Sequence, residues 1–131
     1  LAKITPFFMF SGQAEEAMRF YVSLFGDAEV LEVIHNEDGT VQQGIFRIQE
    51  QLFMAIDSSE DHDFTFTPAV SLFVNCDSDA EIDQAYGLLK SGGAILMPLD
   101  AYPFSRKFAW VQDKYGLSWQ LNLPEEQQTV N

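Results

Sequence analysis

The sequence predicts an α+β fold: two βαβββ modules whose curved mixed sheets surround a cleft. Three observations carry that expectation. Runs of apolar residues follow the order strand, helix, three strands, and then repeat it. The halves also align at an offset of 65 residues, setting Phe8 on Phe73, Tyr21 on Tyr86 and Leu24 on Leu89, and such internal repetition is a fold-level signal. Finally, 131 residues of which 47% are hydrophobic, including 12 Phe, suffice for a packed core, which argues against disorder. The modules are expected at residues 3–60 and 66–124, together one domain, with 125–131 a frayed tail.

Taken in order, Ile4-Thr-Pro-Phe-Phe-Met-Phe10 is short, aromatic and closed by Ser11-Gly12, which suits a buried strand. From Ala14 the stripe Ala14, Ala17, Met18, Tyr21, Leu24, Phe25 has helical spacing, with Glu15 and Glu16 at the positive N-terminus and Gly26 as the expected C-cap. Val30–His35, Val41–Ile48 and Leu52–Asp57 read as strands joined by hairpins. The second module opens with a strand at Ala69–Asn75. Ser78-Asp-Ala-Glu81 then has capping-box spacing, and Ile82, Ala85, Tyr86 and Leu89 form the buried stripe of a helix closed by Gly92-Gly93. Strands follow at Ala94–Leu99, Phe108–Gln112 and Ser118–Leu123. The segment Asp100–Lys107, mixing aromatic and basic residues, is expected to be an excursion, a dimer contact or a lid.

Charge narrows the partners. Seven Lys and Arg face 20 Asp and Glu, a formal charge of −13, which argues against nucleic acid and anionic membrane surfaces and leaves cationic or neutral ligands open. The single cysteine, Cys76, cannot form an internal disulfide. There is no 18-residue apolar run and no signal-like start, so a cytoplasmic protein is expected, its start at Leu1 reflecting processing or trimming.

Three segments together resemble the vicinal oxygen chelate superfamily of glyoxalases, bleomycin-resistance proteins and extradiol dioxygenases, and within it the PhnB-like branch that bears a demethylubiquinone methyltransferase label. They are Gly12-Gln-Ala-Glu-Glu-Ala-Met-Arg-Phe-Tyr21, Val70-Ser-Leu-Phe-Val-Asn-Cys-Asp77 and Asp113-Lys-Tyr-Gly-Leu-Ser-Trp-Gln-Leu121. The resemblance implies paired βαβββ modules, a small-molecule cleft and a homodimer. It also implies that a metal, where relatives hold one, would be met at Pro6, Met54, Ser71 and Gln120. Pro6 and Met54 offer no oxygen or imidazole ligand and Ser71 and Gln120 only weak neutral ones, so no metal and no cofactor are expected. His35, at a hairpin end, and His62, in Glu60-Asp-His-Asp63, read as solvated loop residues. Cys76 reads as a small strand-end residue, and Arg47 as a solvated or salt-bridged one.

With period two, Ser118, Gln120 and Asn122 share one face of the last strand, and Ser71, Phe73 and Asn75 one face of the strand expected beside it. The resemblance sets these two strands side by side and adds Met54, so the expected ligand-binding residues are Phe8, Met54, Ser71, Phe73, Trp110 and Gln120: aromatic walls with neutral polar groups. No strong acid, base or nucleophile can be placed among them, so the leading expectation is a small-molecule binding protein or a metal-independent enzyme derived from that scaffold. A metal-dependent lyase, isomerase or dioxygenase comes second. Methyl transfer comes third, because the chain lacks the Gly-x-Gly-x-x-Gly turn and the βα alternation of a Rossmann-type enzyme.

Overall fold

The computed structural model describes residues 3–125, and the expected tail beyond Glu125 lies outside them. The chain divides between Asp63 and Phe64 into two units. The first contains β1 (Phe7–Phe10), α1 (Ala14–Leu24), β2 (Ala28–His35), β3 (Val41–Ile48) and β4 (Gln51–Asp57). In the second are β5 (Ser71–Asn75), α2 (Asp79–Lys90), β6 (Ala94–Tyr102), β7 (Ser105–Gln112) and β8 (Ser118–Leu123). Each unit is thus βαβββ with one four-stranded mixed sheet, ordered β1-β4-β3-β2 and β5-β8-β7-β6. The first strand pairs in parallel with the last and the other pairings are antiparallel. The predicted α+β class and the mixed sheets are both observed.

In the first unit α1 covers one sheet face. Ala14, Ala17, Met18, Tyr21 and Leu24 are buried beneath it, against Phe8, Phe10, Phe46, Phe53 and Ala55. Phe46 and Phe53 are register partners and stack at 4.9 Å, and Phe8 stacks on Phe53 at 5.7 Å. The N-terminus of α1 is capped from a distance. Gln13 makes no side-chain cap, and Asp57, at the end of β4, accepts hydrogen bonds from the backbone N–H groups of Gly12 (2.8 Å), Ala14 (2.9 Å) and Val41 (2.9 Å). Gly26 does not take the left-handed conformation expected of a C-cap; Asp27 does, at φ 55°.

The second unit caps its helix as the sequence predicts: Ser78 Oγ accepts from Glu81 N (3.1 Å), and Glu81 accepts from Asp77 N (3.0 Å). Gly92, at φ 75°, turns the chain out of α2. Ile82, Ala85 and Leu89 pack on the face that carries Ala109, Val111, Trp119, Leu121 and Leu123, all buried. Buried Asp113 organises the β7–β8 turn, accepting from Tyr115 N, Leu117 N and Trp119 Nε1 at 2.8–3.1 Å.

Two expectations are corrected. Asp100–Lys107 is no irregular excursion: β6 runs to Tyr102 and β7 starts at Ser105, so the segment is a hairpin whose tip is held by Tyr102, stacked on Phe104 at 5.6 Å and donating its hydroxyl to Pro98 O (2.6 Å). The offset of 65 also fails as a strand equivalence. Side chains alternate with period two within a strand, so an alignment one residue out of step pairs opposite sheet faces. Phe8 lies in the core under α1, whereas Phe73 stands 56% exposed on the side away from α2.

Candidate functional site

In each unit the sheet face not covered by its helix carries the residues open to a ligand. In unit one that face is set by alternation against the buried Phe8, Phe53 and Ala55, and it presents Phe7, Met9, Met54 and Ile56. Met54 is half-buried on this face, beside its register partner Phe7. Phe8 does not line this face: its ring is in the aromatic stack below, and Phe7 is the exposed aromatic of β1 at 51%. Arg47 is salt-bridged, its guanidinium meeting Asp27 (3.0 Å), Glu29 (3.1 Å) and Gln49 O (2.9 Å) and so joining the start of β2 to the β3–β4 turn.

Unit two brings together four of the six expected residues. Register pairs Ser71 with Ser118 and Phe73 with Gln120 across β5–β8, and Trp110 with Gln120 across β7–β8, so all share the face away from α2. Their polar atoms are joined. Ser71 and Ser118 share a hydrogen bond of 2.6 Å, Trp110 Nε1 donates to Ser118 Oγ at 2.8 Å, and Gln120 Nε2 donates to Ser71 Oγ at 3.4 Å. Ser118 is fully buried, and these bonds satisfy a hydroxyl that would otherwise be costly there. Further along, Asn122 donates to Asn75 Oδ1 (2.9 Å) and accepts from Ser105 Oγ. Beside this polar ladder Phe73 approaches Phe108 at 6.3 Å, and Phe104 meets Phe108 edge-on at 5.0 Å. The face can grip a flat apolar body while offering amide and hydroxyl contacts at its edge. Ser118 is the member of this ladder that the expected set omits, although its period-two partnership with Gln120 signalled it.

The donor set at the four positions where the resemblance implies a metal does not fit a divalent ion. In unit one Pro6 has only its carbonyl, already accepting from Met54 N at 2.9 Å, and Met54 has a soft thioether. In unit two the hydroxyl of Ser71 is engaged by Ser118 and Gln120. Among the described residues no three His, Cys, Asp or Glu side chains come together as a metal-holding group. His35 is not simply solvated: Nε2 lies 2.6 Å from Glu15, whose carboxyl this contact and Arg19 hold below its ordinary value. His62 is half-buried. Cys76 is buried, and burial, reinforced by Glu81 and Asp77, pushes its thiol up to about 12, so it is no nucleophile at neutral pH.

Residues 2–122 match the sequence profile of the family described as 3-demethylubiquinone-9 3-methyltransferase. The chain belongs to that family. A PhnB protein from Bacillus cereus, provisionally named for the same methyltransferase, is 52% identical, with 93% of this chain and 99% of that one covered and a TM-score of 0.91. Two more distant structures show the fold alone. One is a glyoxylase/bleomycin resistance protein/dioxygenase domain from Frankia sp. EAN1pec, 15% identical with TM-score 0.70 over 98% of this chain and 96% of that one. The other is a glyoxalase-related enzyme from Fulvimarina pelagi, 19% identical with TM-score 0.63 over 94% and 88%. No curated protein matches the chain. The expected PhnB-like membership and glyoxalase/bleomycin-resistance fold are thereby shown.

Proposed function

We propose that this PhnB-like chain is a small-molecule binding protein of the glyoxalase/bleomycin-resistance type that takes a neutral or cationic aromatic ligand without a metal, and that it works as a cytoplasmic homodimer. The observation that carries the reading is the face of β5, β8 and β7, where the exposed Phe73 ring adjoins a set of neutral, mutually satisfied polar groups at Ser71, Ser118, Trp110 and Gln120. Binding needs an apolar surface and a few oriented polar atoms, whereas catalysis needs a group tuned for attack or proton transfer. A charge of −13 favours cations over anions on encounter. In unit one Met54 and Phe7 present a second apolar surface for ligand contact.

The family's description names methyl transfer. The turn between β1 and α1, Ser11-Gly12-Gln13, has one glycine, and each sheet has one parallel pair, so neither the Gly-rich phosphate-cradling turn nor the doubly wound parallel sheet of a dinucleotide-type cofactor fold supports that reading.

The deciding experiment is a thermal-shift screen of neutral and cationic aromatic compounds on the purified chain, in chelator and again with divalent ions. A ligand at 100 times its Kd stabilises the folded state by about 2.7 kcal/mol, which moves the melting point visibly. The expected result is a shift in chelator, with the compound recovered unchanged, that is lost in Ser71→Ala and Gln120→Ala while both variants melt cooperatively. A shift that requires a divalent ion and is accompanied by product would replace the binder with a metal-dependent enzyme.

A further inference from the structure

We propose that unit one carries a binding site of its own chemistry, for a small molecule bearing an ammonium group on a short apolar body, in the open cavity at the end of β4, where the face of Phe7 and Met54 continues to Met9 and Ile56. The cavity holds about 320 Å³, at the lower end of the roughly 300–1,000 Å³ that ligand pockets span, so its occupant is small. Met9 and Ile56, register partners on β1 and β4, supply its apolar part. The chain leaving β4 forms the rim and is fixed there. Ser58 N donates to Phe10 O at 2.7 Å, Ser58 Oγ donates to Glu60 O at 2.7 Å, and Glu60 N donates back to Ser58 Oγ at 3.3 Å.

The polar lining selects the charge. It contains two carboxylates, Asp57 and Glu60, and no Lys, Arg or His. Asp57 is buried with its oxygens engaged by three backbone N–H groups, so it contributes negative potential rather than a contact. The Glu60 carboxylate, the Gln42 amide and the Ser59 hydroxyl take no part in the hydrogen bonds among the described residues and remain available. An ammonium has three N–H donors and no acceptor, and these three groups can each accept one. An anion would meet two like charges, and a neutral alkyl group would leave the rim acceptors unanswered.

The test is a titration of isotope-labelled full-length protein, followed by NMR, with n-butylammonium, n-butanol and butyrate as probes. n-Butylammonium is expected to give saturable shifts at the Met9 methyl, the Gln42 side-chain amide and the Ser59 and Glu60 amides. Glu60→Gln, at an exposed position, should weaken that binding about tenfold or more, as loss of a charge-assisted contact does, while Glu50→Gln leaves it unchanged. The proposal is overturned if n-butanol titrates the same signals with equal affinity, if the shifts scatter over the acidic surface, or if Glu60→Gln binds as the parent does. The aromatic site is read with different ligands and different variants, Ser71→Ala and Gln120→Ala, so failure of one reading is distinguishable from failure of the other.

Discussion

Ser118 shows how a single hydroxyl can hold a face together. It is fully buried, accepts from Trp110 Nε1 and shares a hydrogen bond with Ser71, so Ser118→Ala takes the acceptor from the indole N–H and leaves Ser71 Oγ only its 3.4 Å contact from Gln120. The expected cost is about 1–3 kcal/mol, the usual penalty for leaving a buried polar group unsatisfied, read as a lower urea midpoint at unchanged slope. Trp110→Phe removes the indole N–H and part of the ring while leaving Ser118 bonded to Ser71, so a double-mutant cycle with Ser118→Ala isolates the contact; strictly additive losses would show that the two side chains do not couple. Cys76 gives a prediction of opposite pH sign to the usual carboxylate case. Its folded value is raised from 9.0 to about 12, so the folded state holds the proton longer than the unfolded one. Its contribution is complete below about pH 9 and is lost as pH rises from there through about 12. Iodoacetamide at pH 8 should therefore label the unfolded chain and spare the folded one; labelling at equal rates would refute the burial argument.

At the scale of elements, glycines separate space from strain. Gly87 lies in α2 with nothing within 4 Å of an added Cβ, so Gly87→Ala should stabilise the protein by about 0.5–1 kcal/mol through helix propensity alone. Gly93 is the contrary case: an added Cβ would lie 2.0 Å from Gln112 O, which is backbone and cannot yield without breaking the β6–β7 pairing. Gly93→Ala should then cost about 3 kcal/mol or more, measured in the same urea series, and a neutral result would mean that β6 shifts freely. How far such features were legible depends on pattern. Ser118-Trp-Gln-Leu-Asn-Leu123 alternates polar with apolar, so its faces could be read directly, while the neighbourhood of Gln120 and Ser71 came from the family resemblance. Phe7-Phe-Met-Phe10 is apolar throughout, so nothing in it says which side meets the helix, and Phe8 was assigned to the wrong one. The bonding partners within the ladder were not legible, because register between β5 and β8 is fixed only on folding. Nor was the capping of α1 by Asp57, 43 residues from Ala14. The cavity of unit one was equally hidden, its rim being assembled from loop residues that no periodicity marks.

For the whole molecule, one charge makes two opposed predictions. At −13 per chain, association of two copies brings like charges together, while a cationic ligand is attracted. Salt screens both: the Debye length falls from ~30 Å at 0.01 M to ~8 Å at 0.15 M, short enough to mute charges spread over a surface. Dimerisation, if driven by apolar surface such as Phe7 (51% exposed), Phe104 (65%) and Val70 (72%), is therefore expected to tighten with added salt. Binding of a cationic aromatic ligand is expected to weaken over the same range, and that of a neutral one to stay nearly constant. Sedimentation velocity at micromolar chain, between 0.01 and 0.3 M NaCl, checks the first; calorimetric titration with each ligand checks the second. A chain that stays monomeric at every salt concentration would remove the dimer. A dimer that dissociates as salt rises would mean that its interface is built from opposite charges and not from the exposed rings.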